Sequence, residues 1–288
     1  MKNFFTLSRA AAVAHQFPGL LVEAERIARS YMKGAHGRRR VGTGETFWQF
    51  RHYHPGDASR DVDWKQSARH DNTLFVRQRE WEASQTIALY RDSSTSMQYS
   101  SDKKYPSKQM YADVLLLALA CVLLEGGEQV TLLGTNLAAQ SNTSSLPKIH
   151  DMLDQQTHLT ESIRPLPSHA HAVIISDFYY PFDEAKTALE PLIQRNIKGT
   201  LVHVFDPAEE TLPFSGRINF FDPEQPSQTP LPIDQVEAIR DIYTQKFHQH
   251  QQSIQSTANS WGWNFVAFST SMPSEQALGK IYDLMTVK

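Results

Sequence analysis

Asp92, Ser94 and Ser96, alternating along Asp92-Ser93-Ser94-Thr95-Ser96-Met97, bring one carboxylate and two hydroxyls into a single short turn. Oxygen donors of this kind suit a hard cation such as magnesium, which takes few carboxylates and retains several waters. The preceding run, Thr86 to Arg91, has the β-branched and apolar content of a buried strand. Beyond the turn and Pro106 comes a long apolar helix. A strand feeding such a turn sets the three side chains at the carboxyl edge of a sheet, where open α/β folds keep their ligands. The same residues also fit a plain strand-to-helix turn with Asp92 as a helix cap.

Other chemistry-bearing groups are less organised. The pairs His52/His54, His169/His171 and His248/His250 lack the i, i+4 spacing or nearby acid of a zinc site, and read as surface or turn histidines. Gly42 and Gly44 are not followed by the Gly-Lys-Ser/Thr of a phosphate loop. A metal-dependent phosphoester hydrolase built on Asp92 is an alternative reading, yet no second acid for proton transfer accompanies it. Ser94 has no assigned histidine base and no Gly-x-Ser-x-Gly elbow surrounds it. Trp261 and Trp263 read as packing residues beside the turn at Asn259 to Gly262.

The elements that must position these groups alternate along the chain. A helix is expected over Tyr111 to Glu125, a strand over Gln129 to Gly134, and a short edge strand at Leu137 to Ala139. There follow a short helix at Leu146 to Gln155 and a buried strand, Ala172 to Phe178, that carries the acid Asp177 near its end. A helix at Phe182 to Arg195, a strand at Thr200 to Phe205 and a Pro-rich connection lead to a long helix from Ile233 to about Ser260. Trp263 to Phe268 and Pro273 to Met285 complete the set as strand and helix. Such alternation predicts a mainly parallel sheet with helices on both faces. Ahead of it, residues 16–32 have the spacing of an amphipathic helix, and Gly42 to Glu80 reads as a compact hairpin-rich wrap with Arg and Asp set beside Tyr and Trp.

At 288 residues and 40% hydrophobic content the chain supports a real core. Cys121 is the single cysteine, which excludes a disulfide framework and fits a reducing compartment. The longest apolar run, Val114 to Leu124, is too short to span a bilayer, and no secretory signal pattern opens the sequence, so a cytoplasmic location is expected. Net charge is −3, divided into +5 over Lys33 to Arg79 and −8 elsewhere. That basic section, with Arg38-Arg39-Arg40, admits a nucleic-acid reading, but its interleaved acids favour internal ion pairs.

The string Gly42-x-Gly44-Glu45, Arg51-x-Tyr53-x-Pro55-Gly56-Asp57, Arg60-Asp61-Val62-Asp63-Trp64, Ser67-Ala68-Arg69 and Val76-Arg77, followed by Asp92-x-Ser94-x-Ser96-Met97, closely resembles the domain of unknown function 58 family. The resemblance covers about residues 40 to 180, with departures at Thr46, Ala58 and Arg91. A cation at 91 is expected to weaken metal affinity at Asp92. The resemblance implies a von Willebrand factor A-like, Rossmann-like α/β domain over 83–288, behind an N-terminal helix and hairpin segment over 1–82. It further implies a metal-ion-dependent adhesion site, with Asp92, Ser94 and Ser96 from the first loop, Thr157 (Thr160 as fallback) from the second and Asp177 from the third. The expected ion is Mg2+, with Mn2+ or Ca2+ as substitutes. The implied role is non-catalytic, a protein-interaction adaptor for a MoxR-type AAA+ ATPase and an unknown client.

Overall fold

The computed structural model describes residues 19–35, 47–53, 62–69, 74–79, 84–159, 164–180, 182–224 and 229–286. The chain divides into two compact units, one holding Gln85–Lys288 together with the first helix, the other His36–Ser84. The division therefore differs from the expected 1–82 and 83–288. Helix α1 (Gly19–Ala35) buries Leu21, Ala24, Ile27 and Ala28 in the core of the larger unit, because its apolar stripe needs a partner and finds one there.

In the smaller unit, strands β1 (Phe47–His52) and β2 (Phe75–Arg79) form an antiparallel pair with an irregularity between Phe47 and Gln49. The one-turn helix α2 (Trp64–Ser67) lies between them in sequence, capped by Asp63, whose side chain accepts from the Gln66 amide at 2.9 Å. Among the described residues the expected hairpin-rich wrap is represented by this one antiparallel pair, its strands separated by the segment that carries α2. Arg38 to Arg40, Gly42, Gly44 and the Pro55-Gly56-Asp57 turn lie outside the described residues.

In the larger unit, a five-stranded sheet is built from β3 (Thr86–Arg91), β4 (Gln129–Leu132), β5 (His171–Ser176), β6 (Lys198–Phe205) and β9 (Asn264–Ser269). Every pairing is parallel, in the order β4-β3-β5-β6-β9. The chain first steps outward from β3 to β4, then crosses back to β5 on the other side. The switch in direction falls between the carboxyl ends of β3 and β5, where the loops diverge and leave a crevice. An antiparallel edge strand at Leu137 to Ala139 is not formed. One isolated bridge, Val130 to Gln140, takes its place.

Alternation along the strands sorts the core into two layers. Ile87, Leu89, Val173, Ile175, Val202 and Val204 face α1, α3 (Lys108–Glu125) and α8 (Ser274–Thr286). Ala88, Tyr90, Ala172, Ile174 and Leu201 face α5 (Phe182–Gln194) and α7 (Val236–Ser260). Helix α3 buries 14 of its 18 residues, since it lies between the sheet and α1 and is apolar all round. The remaining elements are the short helices α4 (Leu146–Asp151) and α6 (Pro207–Thr211) and a hairpin of β7 (Ile218–Phe220) and β8 (Leu231–Ile233). That hairpin lies inside the stretch that its prolines marked as an irregular connection.

Close packing at the β6–β9 edge gives a sharp test. A Cβ on Gly199 would lie 2.2 Å from the Trp263 ring, whose indole N–H donates to the Ile197 carbonyl at 2.9 Å and so cannot swing aside freely. Gly199→Ala is expected to cost about 1–3 kcal/mol, the usual range for an overpacked core. A lower urea midpoint at unchanged slope checks this, and an unshifted midpoint contradicts it.

Candidate functional site

Asp92 follows β3 and Asp177 follows β5, so both stand at the switch crevice. The Asp92 amide donates to the Ile175 carbonyl at 2.9 Å and holds the two strand ends together. Both aspartates are completely buried. Asp92 Oδ1 accepts from the Ser94 amide at 2.9 Å, and Oδ2 accepts from Ser176 Oγ at 2.6 Å. Ser94 Oγ and Ser96 Oγ lie 3.1 Å apart. Burial pushes the Asp92 carboxyl above the usual carboxylate range; the Ser176 hydrogen bond opposes this and the Asp177 charge adds to it.

The loop after β5 is wound tightly to aim Asp177. Phe178, buried, adopts φ 56°, a left-handed conformation that a bulky residue takes only where its surroundings compel it. Its amide donates to Ser176 Oγ at 2.8 Å, and the Tyr179 amide donates to Asp177 Oδ1 at 3.1 Å. Asp177 Oδ2 receives a hydrogen bond from Lys108 Nζ at 2.8 Å, and the same ammonium reaches Glu209 Oε1 at 2.6 Å. Lys108 is fully buried at the first turn of α3, below the Ser107 cap, with the Tyr179 ring 5.0 Å away. Burial works to strip its proton, but Asp177 and Glu209 more than offset that and hold its pKa above the ordinary lysine value. Glu209 is itself pushed up by burial, with Lys108 pulling the other way.

A third aspartate stands in the same row. Asp206 follows β6 and caps α6, accepting from the Ala208 amide at 2.8 Å, while Glu209 Oε2 closes the capping box by accepting from the Asp206 amide at 2.7 Å. Pro207 at the first helical position suits that start. Four carboxylates, Asp92, Asp177, Asp206 and Glu209, thus gather at this edge with one ammonium, Lys108. Among the described residues no cationic group pairs with Asp92.

The structure joins four of the five expected site residues, Asp92, Ser94, Ser96 and Asp177. Thr157 is exposed on a neighbouring loop, where its amide donates to the Gly134 carbonyl at 3.1 Å. The residue before it, Gln156, is buried: it accepts from the Arg91 amide at 3.3 Å and donates to the carbonyls of Leu89 and Leu133 at 3.2 and 3.0 Å. Thr160 lies outside the described residues. Arg91 points to the sheet face opposite Tyr90, where it meets Asp113 of α3 at 2.7 Å and Asp154 at 2.9 Å. Its charge is therefore engaged on the α3 side.

Lys108, Ser176, Asp206, Glu209 and Glu224 were not singled out from the sequence. Only Asp206 had a readable signal, an acid after a strand followed by Pro and, two residues on, Glu. Among the described residues the histidine pairs do not assemble; His54 lies outside them, and His171, expected at the surface or in a turn, lies in β5. His171 is buried against Thr200 Oγ1 at 2.9 Å, and burial lowers its pKa to about 4. His250 stacks on Tyr179 with ring centroids 5.2 Å apart. Cys121 is buried, which pushes its thiol up to about 12, far from a reactive thiolate.

The donor set can be set against the needs of an ion. Among the described residues no three His, Cys, Asp or Glu side chains gather in a group able to hold a metal ion, so any ion here depends on the serine hydroxyls as well as the two aspartates. The Ser94 and Ser96 oxygens, 3.1 Å apart, match two adjacent corners of a magnesium octahedron, about 2.9 Å for bonds of 2.0–2.1 Å. Asp92, with no cationic partner among the described residues, offers its carboxylate to the same occupant.

A model of the family described as protein of unknown function DUF58 matches residues 49–253. The chain belongs to this family. No curated protein matches the chain. Among solved structures, this DUF58 member is similar to an aerotolerance-related membrane protein from Bacteroides fragilis NCTC 9343, crystallised with multiple mutations to serines. The identity is 17% and the TM-score 0.44, over 70% of this chain and 98% of that one. A conserved hypothetical protein, BatB, from Bacteroides thetaiotaomicron aligns at 15% identity and TM-score 0.39, over 70% and 100% of the two chains. No helix among the described residues is long and apolar enough to cross a membrane.

Proposed function

We propose that this DUF58 member is a non-catalytic interaction module that uses a von Willebrand factor A-like site to bind a divalent cation, Mg2+ or in its place Mn2+ or Ca2+. Asp92, Ser94, Ser96 and Asp177 hold the ion, and an acidic side chain of a partner completes its coordination. One observation carries the reading: two buried carboxylates and two hydroxyls converge at the switch crevice, and Asp92 has no cationic partner among the described residues. An ion there supplies the missing positive charge and gives a partner's carboxylate something to bind. The family resemblance suggests a MoxR-type AAA+ ATPase as that partner, with a further protein as client.

The test is capture of a MoxR-type ATPase from the same organism on the immobilised protein. Retention is expected in Mg2+, with loss in EDTA and with Asp92→Ala once circular dichroism shows the variant folded. Capture that persists unchanged in EDTA removes the ion from the reading, and absence of capture in Mg2+ removes this partner.

A further inference from the structure

Glu224 reaches the site from far along the chain. Its Oε1 accepts from the Ser96 amide at 2.7 Å, across 128 residues of sequence. The excursion that carries it is fastened at its base to α7. The Gly216 amide donates to Glu237 Oε1 at 2.8 Å, the Val236 amide donates to the Gly216 carbonyl at 3.2 Å, and Arg240 donates to the carbonyls of Leu212 and Phe214 at 3.0 and 2.8 Å. Strands β7 and β8 then run out together, and Asp222 Oδ1 accepts from the Glu224 amide at 2.9 Å, shaping the turn.

An exposed glutamate is poorly placed at this edge on charge alone. Asp92, Asp177, Asp206 and Glu209 already outnumber Lys108, and Glu224 adds a fifth carboxylate to the edge. A cation seated on the Ser94 and Ser96 hydroxyls reverses the sign. Glu224, already bonded to the amide of one of those serines, then has a charge to turn toward. Resting on the ion-binding reading above, we infer that Glu224 is a carboxylate supplied in cis to the exposed side of the site. It caps the ion in the resting protein and is the group that a partner's acidic side chain has to displace.

The experiment uses Mn2+ alone as probe, with the full chain, its Glu224→Ala and Glu224→Gln variants, and Asp92→Ala as the control that binding is at this site. Water proton relaxation reports how many exchangeable waters the bound Mn2+ keeps, and titration gives its Kd. Both Glu224 variants are expected to raise the relaxivity of bound Mn2+ by the increment of one added water and to weaken binding about tenfold, the lower end of what loss of a supporting group costs a metal site. Equal relaxivity and equal Kd in wild type and both variants overturns the cap while leaving the ion site standing. Failure of Mn2+ to bind wild type, or binding that survives Asp92→Ala, overturns the ion site and the cap with it.

Discussion

Lys108→Met is expected to cost about 3–5 kcal/mol of folding stability, the range for removing one partner from a buried charge pair. The lysine is fully buried, and its ammonium is shared between Asp177 at 2.8 Å and Glu209 at 2.6 Å. Methionine fills nearly the same volume, so the loss reports charge and little else. Two carboxylates are then left in a low-dielectric pocket with Asp92 beside them. The melting temperature should fall by about 10 °C for a chain of this size. Without Lys108 the folded-state pKa of Glu209, already raised by burial, rises further above the unfolded value. A group shifted in that direction loses stability as pH rises, so the deficit should be widest near pH 8 and shrink toward pH 5. Thermal melts across that range check both points, and a pH-independent loss of less than about 1 kcal/mol would show that the ammonium is not neutralising these acids.

The second large effect concerns Arg91. Its side chain is buried with Nε 2.7 Å from Asp113 Oδ1, though the approach is too poorly aligned for a good hydrogen bond. Asp154, at 2.9 Å, is almost fully exposed and contributes little to stability. Burial, partly opposed by Arg91, raises the Asp113 carboxyl from 3.8 to about 6. Because the folded value lies above the unfolded one, wild type loses some stability as pH rises from about 4 to 6. Arg91→Met removes the attraction and raises Asp113 further, so the variant goes on losing stability above pH 6. A deficit of about 3 kcal/mol is expected at pH 8, with much less at pH 5. Adding Asp113→Leu should recover most of it, since an apolar pair of similar volume avoids the desolvation cost altogether. A double variant as unstable at pH 8 as Arg91→Met would place the loss in packing.

Parts of this protein were legible because they depend on local pattern. Alternating strand and helix signals led to the parallel sheet, and Asp92 and Asp177 could be placed at strand ends from the apolar runs before them. The small hairpin around Phe220 and Leu231 was hidden because its strands are three residues long, exposed and rich in proline nearby. The first helix was legible as a helix, but its partner was not: an amphipathic stripe states that something covers it and does not say what.

The sequence by itself determined which residues can lie in strands and helices, and that a carboxylate and two hydroxyls share one turn. Only the tertiary structure decided that β3 lies between β4 and β5, and with that order brought Asp92 beside Asp177. It also decided that Lys108 pairs with Asp177 across 69 residues and with Glu209 across 101, that Arg91 turns to Asp113, and that Glu224 comes back to Ser96. The physical reason is range. Periodicity and caps are fixed by neighbours a few residues away, whereas the partner of a buried charge is fixed by which helices cover which face of the sheet, and that is settled when the whole core packs.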